Sequence, residues 1–204
     1  NEANASRLRP SSVSGLGIEV RATQATVESD SFDNTYDRDS ATILHRIEYS
    51  SGTHEVTGNI QADGGYGAIH AAGTAVITIN AASVYAVESS EHIAMAVYAG
   101  SLNAKSKIII NSGTFAQQIT GTSNQYDLIY ADSDSTIEIN GGTFKSVTPK
   151  WTLNCEDGSN AVITVKGGRF YKYNPATDAT PGEVVVPDGY EVIQDGDWFV
   201  VQAK

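Results

Sequence analysis

The sequence predicts an all-β fold, a right-handed single-stranded parallel β-helix of about six coils with a C-terminal antiparallel β cap. Three observations predict it: a repeat with a period near 30 residues, alternating apolar and polar residues within each repeat, and turn-forming residues between the strands. Short strands of this kind cannot bury a core alone, but they can when they stack in parallel layers. Because coils of parallel strands generally cross over to the right, we expect a right-handed helix.

Six segments of eight residues align when they are placed beneath one another. They are residues 18–25, 47–54, 77–84, 108–115, 137–144 and 163–170. Isoleucine stands first in all six, the second residue is polar in five of them, and the third is apolar or Tyr. This alternation is typical of a strand with one buried face. Phe115, Phe144 and Phe170 end three successive segments, and we expect their rings to stack in the core.

A second, shorter strand recurs in the other half of each repeat. It comprises residues 68–71, 96–99, 128–131 and 152–155. Alternation predicts that the second and fourth positions point into the core, where Cys155 falls in a column of alanines and is expected to be a small buried thiol. The third position then points outward, and the residues there form a predicted ladder of His70, Tyr98, Tyr130 and Asn154.

The two ends differ from the repeats in composition and pattern. Residues 1–16 are mostly polar and lack a period, which predicts an N-terminal leader or linker before a β-helix over residues 17–173. Four of the five prolines lie at or after Pro149, and residues 184–200 have the pattern of an antiparallel meander. We therefore assign residues 174–204 to a β-hairpin or meander cap, with Tyr190 and Trp198 against the last coil.

The composition excludes several classes of partner. The 204 residues include 24 Asp and Glu against 13 Lys and Arg, and the net charge of −11 disfavours nucleic acid and anionic membranes. The longest uncharged stretch, residues 64–87, is interrupted by polar residues, so we expect no membrane insertion. The single cysteine excludes an internal disulfide framework. A turn-rich, all-β chain of this composition is typical of a secreted or virion-surface protein.

The repeats resemble a known family. The sequences SGTF, GGTF and GGRF at residues 112–115, 141–144 and 167–170 are similar to the GGTF repeats of parallel β-helix modules in gut-bacterial surface proteins and in phage fibre or head-decoration proteins. The ending, with Asn174-Pro175 and a DGY and DG-x-W-x-V segment over residues 188–200, is also similar. The resemblance covers roughly residues 47–204. It implies an extracellular structural or adhesive protein, with a glycan or a surface protein as partner, and a homo-trimer in the case of a phage fibre.

Acidic residues at one expected corner raise the alternative of an enzyme. Many parallel β-helices cleave polysaccharides, and glycoside hydrolysis needs two carboxylates at a set separation. The candidates are Asp132 and Asp134, with Glu156 and Asp157 one coil later. The same residues are common turn formers, and the Asn-Thr-Asp and Gly-His-Gly signatures of pectin-cleaving β-helix enzymes are absent from the sequence. We therefore predict no catalytic residue, and a carbohydrate-binding or polysaccharide-cleaving domain stays the alternative.

The predicted ligand-binding residues are those of the outward ladder, His70, Tyr98, Tyr130 and Asn154. Tyrosines one layer apart on a flat sheet would form a platform for sugar rings or for a protein surface. The alternative is that the rings pack beneath a neighbouring loop, or that they point inward because the register differs by one residue.

No metal ion or cofactor is expected. None of the histidines, His45, His54, His70 and His92, pairs with another at a spacing typical of metal ligands. The acidic segment 28–39 carries five carboxylates but lacks the spacing of a defined calcium loop. A structural interpretation fits Asn80, Asn111 and Asn140, which occupy the same place in three successive repeats and are expected to form a hydrogen-bonded ladder.

Overall fold

The computed structural model describes residues 47–63, 67–87, 95–118 and 127–204. Within these ranges the chain is nearly all β, and its strands build a parallel β-solenoid. The one helical element in this part of the chain is a single 3-10 turn at Pro149–Trp151. No helix among the described residues is long and apolar enough to cross a membrane.

The first sheet contains five short parallel strands in the described part of the chain. In sheet order they are β1 (Ile47–Tyr49), β3 (Ile69–Ala71), β5 (Val97–Ala99), β8 (Ile129–Ala131) and β11 (Leu153–Cys155). The predicted inward residues Ile69, Val97 and Ile129 pair across neighbouring strands and are fully buried. Cys155 continues the predicted column of alanines and is buried, so the prediction for this thiol is confirmed.

The second sheet carries the other strands of the repeat. Its parallel strands are β2 (Thr53–Asp63), β4 (Val76–Val87), β6 (Lys107–Ile110), β7 (Gly113–Gln118), β9 (Thr136–Ile139), β10 (Thr143–Lys145), β12 (Val162–Val165), β13 (Gly168–Tyr171) and β14 (Val184–Val185). Ile77, Ile108 and Ile137 pair in succession, and Ile163 follows Ile137, as the repeat predicts. Strand β4 is continuous, whereas in the next layer the chain bends at the corresponding point. Two strands, β6 and β7, therefore pair with the two halves of β4.

The bend between the two halves of a layer leaves little space for a side chain. Gly113 has a φ of +133°, and a Cβ atom at this position would lie 2.3 Å from the carbonyl oxygen of Ala82 in the preceding layer. The close approach of successive layers therefore explains why this column of the repeat contains only glycine or alanine in these layers.

A stack of aromatic rings fills the core beside the bend. The centroids of Phe115 and Phe144 are 4.9 Å apart and those of Phe144 and Phe170 are 4.8 Å apart, with both pairs of rings within 7° of parallel. All three side chains are fully buried, which confirms the predicted stack. Tyr173 ends it with a tilted ring 6.3 Å from Phe170.

The predicted asparagine ladder is also present. The Nδ2 atom of Asn111 donates to Oδ1 of Asn80 over 2.9 Å, and Nδ2 of Asn140 donates to Oδ1 of Asn111 over 3.0 Å. Asn80 in turn donates to Glu55 Oε1 over 2.7 Å. Each side-chain amide thus forms a hydrogen bond with the next along the edge of the stack, and the role of these residues is structural.

The alignment that places residues 47–54 with the later repeats is wrong. Ile47 pairs with Ile69 in the first sheet, whereas His54 pairs with Ile77 in the second sheet. Both kinds of strand contain an aliphatic residue, a variable residue and then an apolar or aromatic residue, so a three-residue pattern does not tell them apart. Segment 18–25 lies outside the described residues, and the count of about six coils is not confirmed.

The C-terminal segment combines parallel and antiparallel pairing. Strand β14 was expected in the antiparallel meander, but Val184 pairs in parallel with Ile163 of β12 because it continues the buried isoleucine column. Strands β15 (Tyr190–Asp195) and β16 (Trp198–Ala203) form an antiparallel hairpin, and β16 pairs antiparallel with β13. The Trp198 ring meets Tyr171 edge-on at 5.3 Å. The role of this hairpin as a cap and the boundaries at residues 16 and 173 stay predictions.

Candidate functional site

The predicted ladder is assembled on the first sheet. His70, Tyr98, Tyr130 and Asn154 pair in this order across β3, β5, β8 and β11. Glu48 of β1 extends the ladder, since it pairs with His70, and its Oε2 lies 3.5 Å from Nδ1 of His70. The repeat pattern did not predict Glu48 as a ladder residue, because it places residues 47–54 with the other kind of strand.

The end of the ladder that contains His70 and Tyr98 is closed. Only 5% of His70 and 6% of Tyr98 is exposed, and their rings stack with centroids 4.4 Å apart and planes within 10° of parallel. Nε2 of His70 donates to the carbonyl oxygen of Gly100 over 2.9 Å. These two rings therefore pack against their neighbours rather than lying open, which agrees with the alternative of packed rings.

Asp132 holds Tyr98 in this closed arrangement. The Tyr98 hydroxyl donates to Oδ2 of Asp132, and the backbone N–H of Ser101 donates to Oδ1 over 2.9 Å. Burial and the bond to Asp132 raise the pKa of Tyr98 above its ordinary value. A Cβ atom at Gly100 would lie 2.0 Å from Oδ1 of Asp132, so only glycine permits this contact. Both carboxylate oxygens of Asp132 therefore accept hydrogen bonds within the fold, and its role is structural.

Asp134, the other acidic candidate on this turn, also has structural partners. Its Oδ1 accepts from Nδ2 of Asn160 in the next layer over 2.8 Å, and Nζ of Lys105 lies 3.9 Å from Oδ2. The turn that follows β11 instead places Glu156 and Asp157 beside a cavity. The predicted acidic corner therefore divides into a structural pair and a pair that faces open space.

The other end of the ladder opens into a cavity of about 380 Å³. Tyr130 and Asn154 line it from the ladder, and Trp151 lines it from the 3-10 turn. Asp127, which lies two residues before strand β8, is also part of the lining. The charged groups that complete the lining are Lys150, Glu156, Asp157 and Asp178. Aromatic faces beside a few convergent polar groups are the usual composition of a small-molecule site.

The change from tyrosine to asparagine along the ladder accounts for the position of the cavity. Tyr98 lies 5.7 Å from the Tyr130 ring on one side, whereas Asn154 is the ladder neighbour on the other. An amide is smaller than a phenol ring, so the space that a third tyrosine would occupy remains beside Tyr130. Burial and the nearby carboxylates of Glu156 and Asp127 raise the pKa of Tyr130, whose hydroxyl stays protonated at neutral pH.

Asp127 is a largely buried carboxyl group in the wall of this cavity. The side chain of Asn154 donates a hydrogen bond to it, and its Oδ1 has no hydrogen-bond partner among the described residues. Burial raises the pKa of Asp127 to about 7, although the bond from Asn154 acts in the opposite direction. The group therefore changes its charge close to neutral pH.

Sequence reasoning missed Asp127 and Trp151. Extension of the strand register by two residues places them in a column with Gly67 and Met95, two positions before the first paired residues. Asp127 is the charged member of a column whose other described members are uncharged. This difference is the signal in the sequence that could have identified it as a candidate site residue. Trp151 enters the wall through the 3-10 turn, which the sequence pattern did not predict.

The other candidate groups that the structure describes do not assemble into a second site. Among the described ranges, no group of three or more His, Cys, Asp or Glu side chains is placed to hold a metal ion. His54 stacks on Tyr49 with centroids 3.6 Å apart, and its Nε2 lies 2.8 Å from the carbonyl oxygen of Ser51. Burial raises the pKa of the Cys155 thiol to about 12, which keeps it unreactive. His45, His92 and the acidic segment 28–39 lie outside the described residues.

Comparison of the chain with protein-family models, with curated proteins and with solved structures gives no match. Membership of the GGTF-repeat family therefore stays a prediction, and the geometry of the cavity is the main guide to function.

Proposed function

We propose that this protein is a non-catalytic structural or adhesive module that is displayed outside the cytoplasm, on a bacterial surface or a phage virion, and binds a glycan. The main observation that supports this proposal is the cavity beside Tyr130 and Asn154. Two aromatic residues, Tyr130 and Trp151, line it together with an amide and carboxyl groups, in a volume of about 380 Å³. Sugars present apolar C–H faces that pack on aromatic rings, and hydroxyl groups that bond to amides and carboxylates.

A rigid stack of coils suits a displayed module. In this proposal about six right-handed coils carry the cavity, and the hairpin of β15 and β16 caps the last of them. The pairing of β16 with β13 supports the cap, because it occupies a strand edge that would otherwise invite pairing with another chain. The phenylalanine stack and the asparagine ladder support the rigidity.

Composition and resemblance support the location. A net charge of −11 favours solubility at an exposed surface, and the GGTF-like repeats resemble those of displayed bacterial and phage proteins. A fibre on a virion would be a homo-trimer, whereas a module of a bacterial surface protein would not need one. Sedimentation equilibrium of the purified chain distinguishes a trimer from a monomer.

The two tryptophans provide a matched test of the binding site. Trp151 lines the cavity, whereas Trp198 lies on the hairpin against Tyr171 and Arg169. The purified protein is first screened on an array of neutral, amino and acidic glycans, and the affinity for each binder is measured by calorimetry. We expect Trp151→Ala to weaken binding at least tenfold and Trp198→Ala to leave it unchanged.

Two outcomes would contradict the proposal. Binding that Trp151→Ala leaves intact would place the glycan site elsewhere on the molecule. A complete absence of glycan binding by the folded protein would remove the adhesive part of the proposal and leave a purely structural role.

A polysaccharide-cleaving enzyme is the second candidate, and one observation favours it. The cavity wall contains Asp127, whose pKa of about 7 leaves it partly protonated at neutral pH, together with Glu156. A protonated carboxyl and an ionised carboxylate are the pair that glycoside hydrolysis requires. The test is the release of reducing ends from polysaccharides that bind the protein. Turnover that Glu156→Gln abolishes would establish the enzyme and overturn the non-catalytic proposal.

A further inference from the structure

The hydrogen bond between Asn154 and Asp127 depends on the charge of Asp127. An ionised carboxylate only accepts hydrogen bonds, so Nδ2 of Asn154 must be the donor and the amide oxygen is left for a ligand. A protonated carboxyl carries a donor of its own, and the amide oxygen of Asn154 accepts it once the amide has turned over. Protonation of the carboxyl oxygen that Asn154 contacts would therefore exchange the group that Asn154 offers to the cavity.

We propose that Asp127 is a positioning residue that sets the orientation of the Asn154 amide, and that its ionised form prepares the cavity to bind a sugar that carries no acidic group. The proposal rests on the proposed glycan-binding function and adds the class of sugar and its dependence on pH. Asp127 acts through Asn154, because Asn154 is its hydrogen-bond partner and its Oδ1 is buried, with no partner among the described residues. Asn154 itself lines the cavity and is placed to contact a ligand.

The groups around this pair disfavour a negatively charged sugar. Glu156 and Asp157 face the cavity from the turn after β11, and Asp178 faces it from the segment before β14. Lys150 is the one basic residue among the described lining residues, and its Nζ lies 5.0 Å from the centre of the Trp151 ring. Three carboxylates against one ammonium group disfavour uronic, sialic and sulfated sugars.

Two further titratable groups face Asp127 from the strands, and neither changes its charge near neutral pH. Burial raises the pKa of Tyr130 on β8 well above its ordinary value, and that of Cys155 on β11 to about 12. The transition expected near pH 7 therefore belongs to Asp127, whose pKa lies there.

The orientation of Asn154 can be tested without a ligand. In ¹⁵N-labelled protein, the side-chain amide signals of Asn154 should shift with a midpoint near pH 7, because the bond to Asp127 changes its direction. Asp127→Asn should remove this transition, whereas Asp188→Asn, an exposed carboxylate in the turn before β15, should preserve it. A transition that is absent from the wild type, or that persists in Asp127→Asn, would overturn the positioning role.

Binding tests the recognition that follows from this orientation. The probes are neutral tetrasaccharides of N-acetylglucosamine, galactose and mannose, with glucosamine and galacturonate tetramers as charged counterparts. The ionised fraction of a group with a pKa of about 7 rises about tenfold between pH 6 and pH 8, so affinity for the neutral probe that binds should rise about tenfold. Asp127→Asn should bind equally at both pH values, and Asp188→Asn should keep the wild-type difference.

The outcomes separate this inference from the proposed function. Neutral probes that bind without a pH dependence, or with one that Asp127→Asn retains, would overturn the inference and leave the glycan site. Tighter binding of the acidic probe would overturn the assignment to sugars without an acidic group. If no probe binds, the glycan-binding function fails together with the recognition step, while the amide titration still decides whether Asp127 orients Asn154.

Discussion

Replacement of Phe144 by alanine should destabilise the fold more than most single substitutions. The Phe144 side chain is fully buried, and its ring lies between those of Phe115 and Phe170 at 4.9 and 4.8 Å. Removal of a buried phenylalanine ring costs about 3–5 kcal/mol, and each stacked pair adds about 0.5–1.5 kcal/mol beyond the area it buries. Because two stacked contacts are lost at once, we expect a loss near the upper end, about 4–5 kcal/mol.

Urea denaturation measures this loss. For an m value of about 2 kcal/mol/M, the midpoint of Phe144→Ala should fall by about 2 M. Phe144→Leu keeps most of the apolar volume but loses the stacking, so its cost should be about 1–2 kcal/mol. Circular dichroism and tryptophan fluorescence must give the same midpoint, because a stack of repeats is able to unfold in parts.

Thr143→Ala is the matched control for this prediction. Thr143 precedes Phe144 on β10 but lies on the opposite face and is partly exposed, so its substitution should change stability by less than about 0.5 kcal/mol. If Phe144→Ala moved the midpoint no further than Thr143→Ala, the aromatic stack would not be the centre of the core, and the reasoning from burial and ring spacing would fail.

Three further substitutions test the ladders and the buried carboxyl. Asn111→Ala breaks both ladder bonds of an exposed amide and should cost about 1–2 kcal/mol in urea denaturation; an unchanged midpoint would show that the ladder adds no stability. Tyr98→Phe removes the donor to Asp132 and should cost about 1–3 kcal/mol in the same assay, unless the hydroxyl is dispensable. Folding raises the pKa of Asp127 from 3.8 to about 7, so the stability that its protonated form contributes is complete below pH 3.8 and is lost as the pH rises through 7. Asp127→Asn should therefore exceed the wild type in stability by a few kcal/mol at pH 8 and match it at pH 4, and a difference that does not vary with pH would refute this reasoning.

Periodicity was sufficient to predict the interior of the solenoid. Each layer places its residues directly above those of the layer before, so one register holds for Ile77, Ile108, Ile137 and Ile163. The prediction failed for Ile47 because the two kinds of strand share a three-residue pattern, and longer pairing decides between them. It also failed for β14, since a run of three valines fits either a parallel or an antiparallel partner.

The sequence pattern could not predict which residues of the ladder are exposed. Alternation shows which side chains leave the core, but the turns of neighbouring layers determine what then covers them. Tyr98 is closed because the turn at Gly100 lets Asp132 approach its hydroxyl. Tyr130 borders a cavity because the next ladder residue is an amide and because a 3-10 turn brings Trp151 beside it. These are contacts between segments that the strand pattern does not describe.

Asp127 is a carboxyl group at a buried position where an uncharged residue would be more stable, and this cost in stability favours a functional role. The other described members of its column, Gly67, Met95 and Trp151, are uncharged. A carboxyl group placed there loses hydration, and one of its oxygens has no hydrogen-bond partner in the described part of the chain. A scaffold would be more stable above pH 7 with an uncharged residue at this position. Local costs of this kind tend to occur where a site needs the group, and the group that Asp127 contacts is the amide of the cavity wall. The gain in stability expected of Asp127→Asn and its expected loss of pH-dependent binding are therefore two consequences of one buried charge.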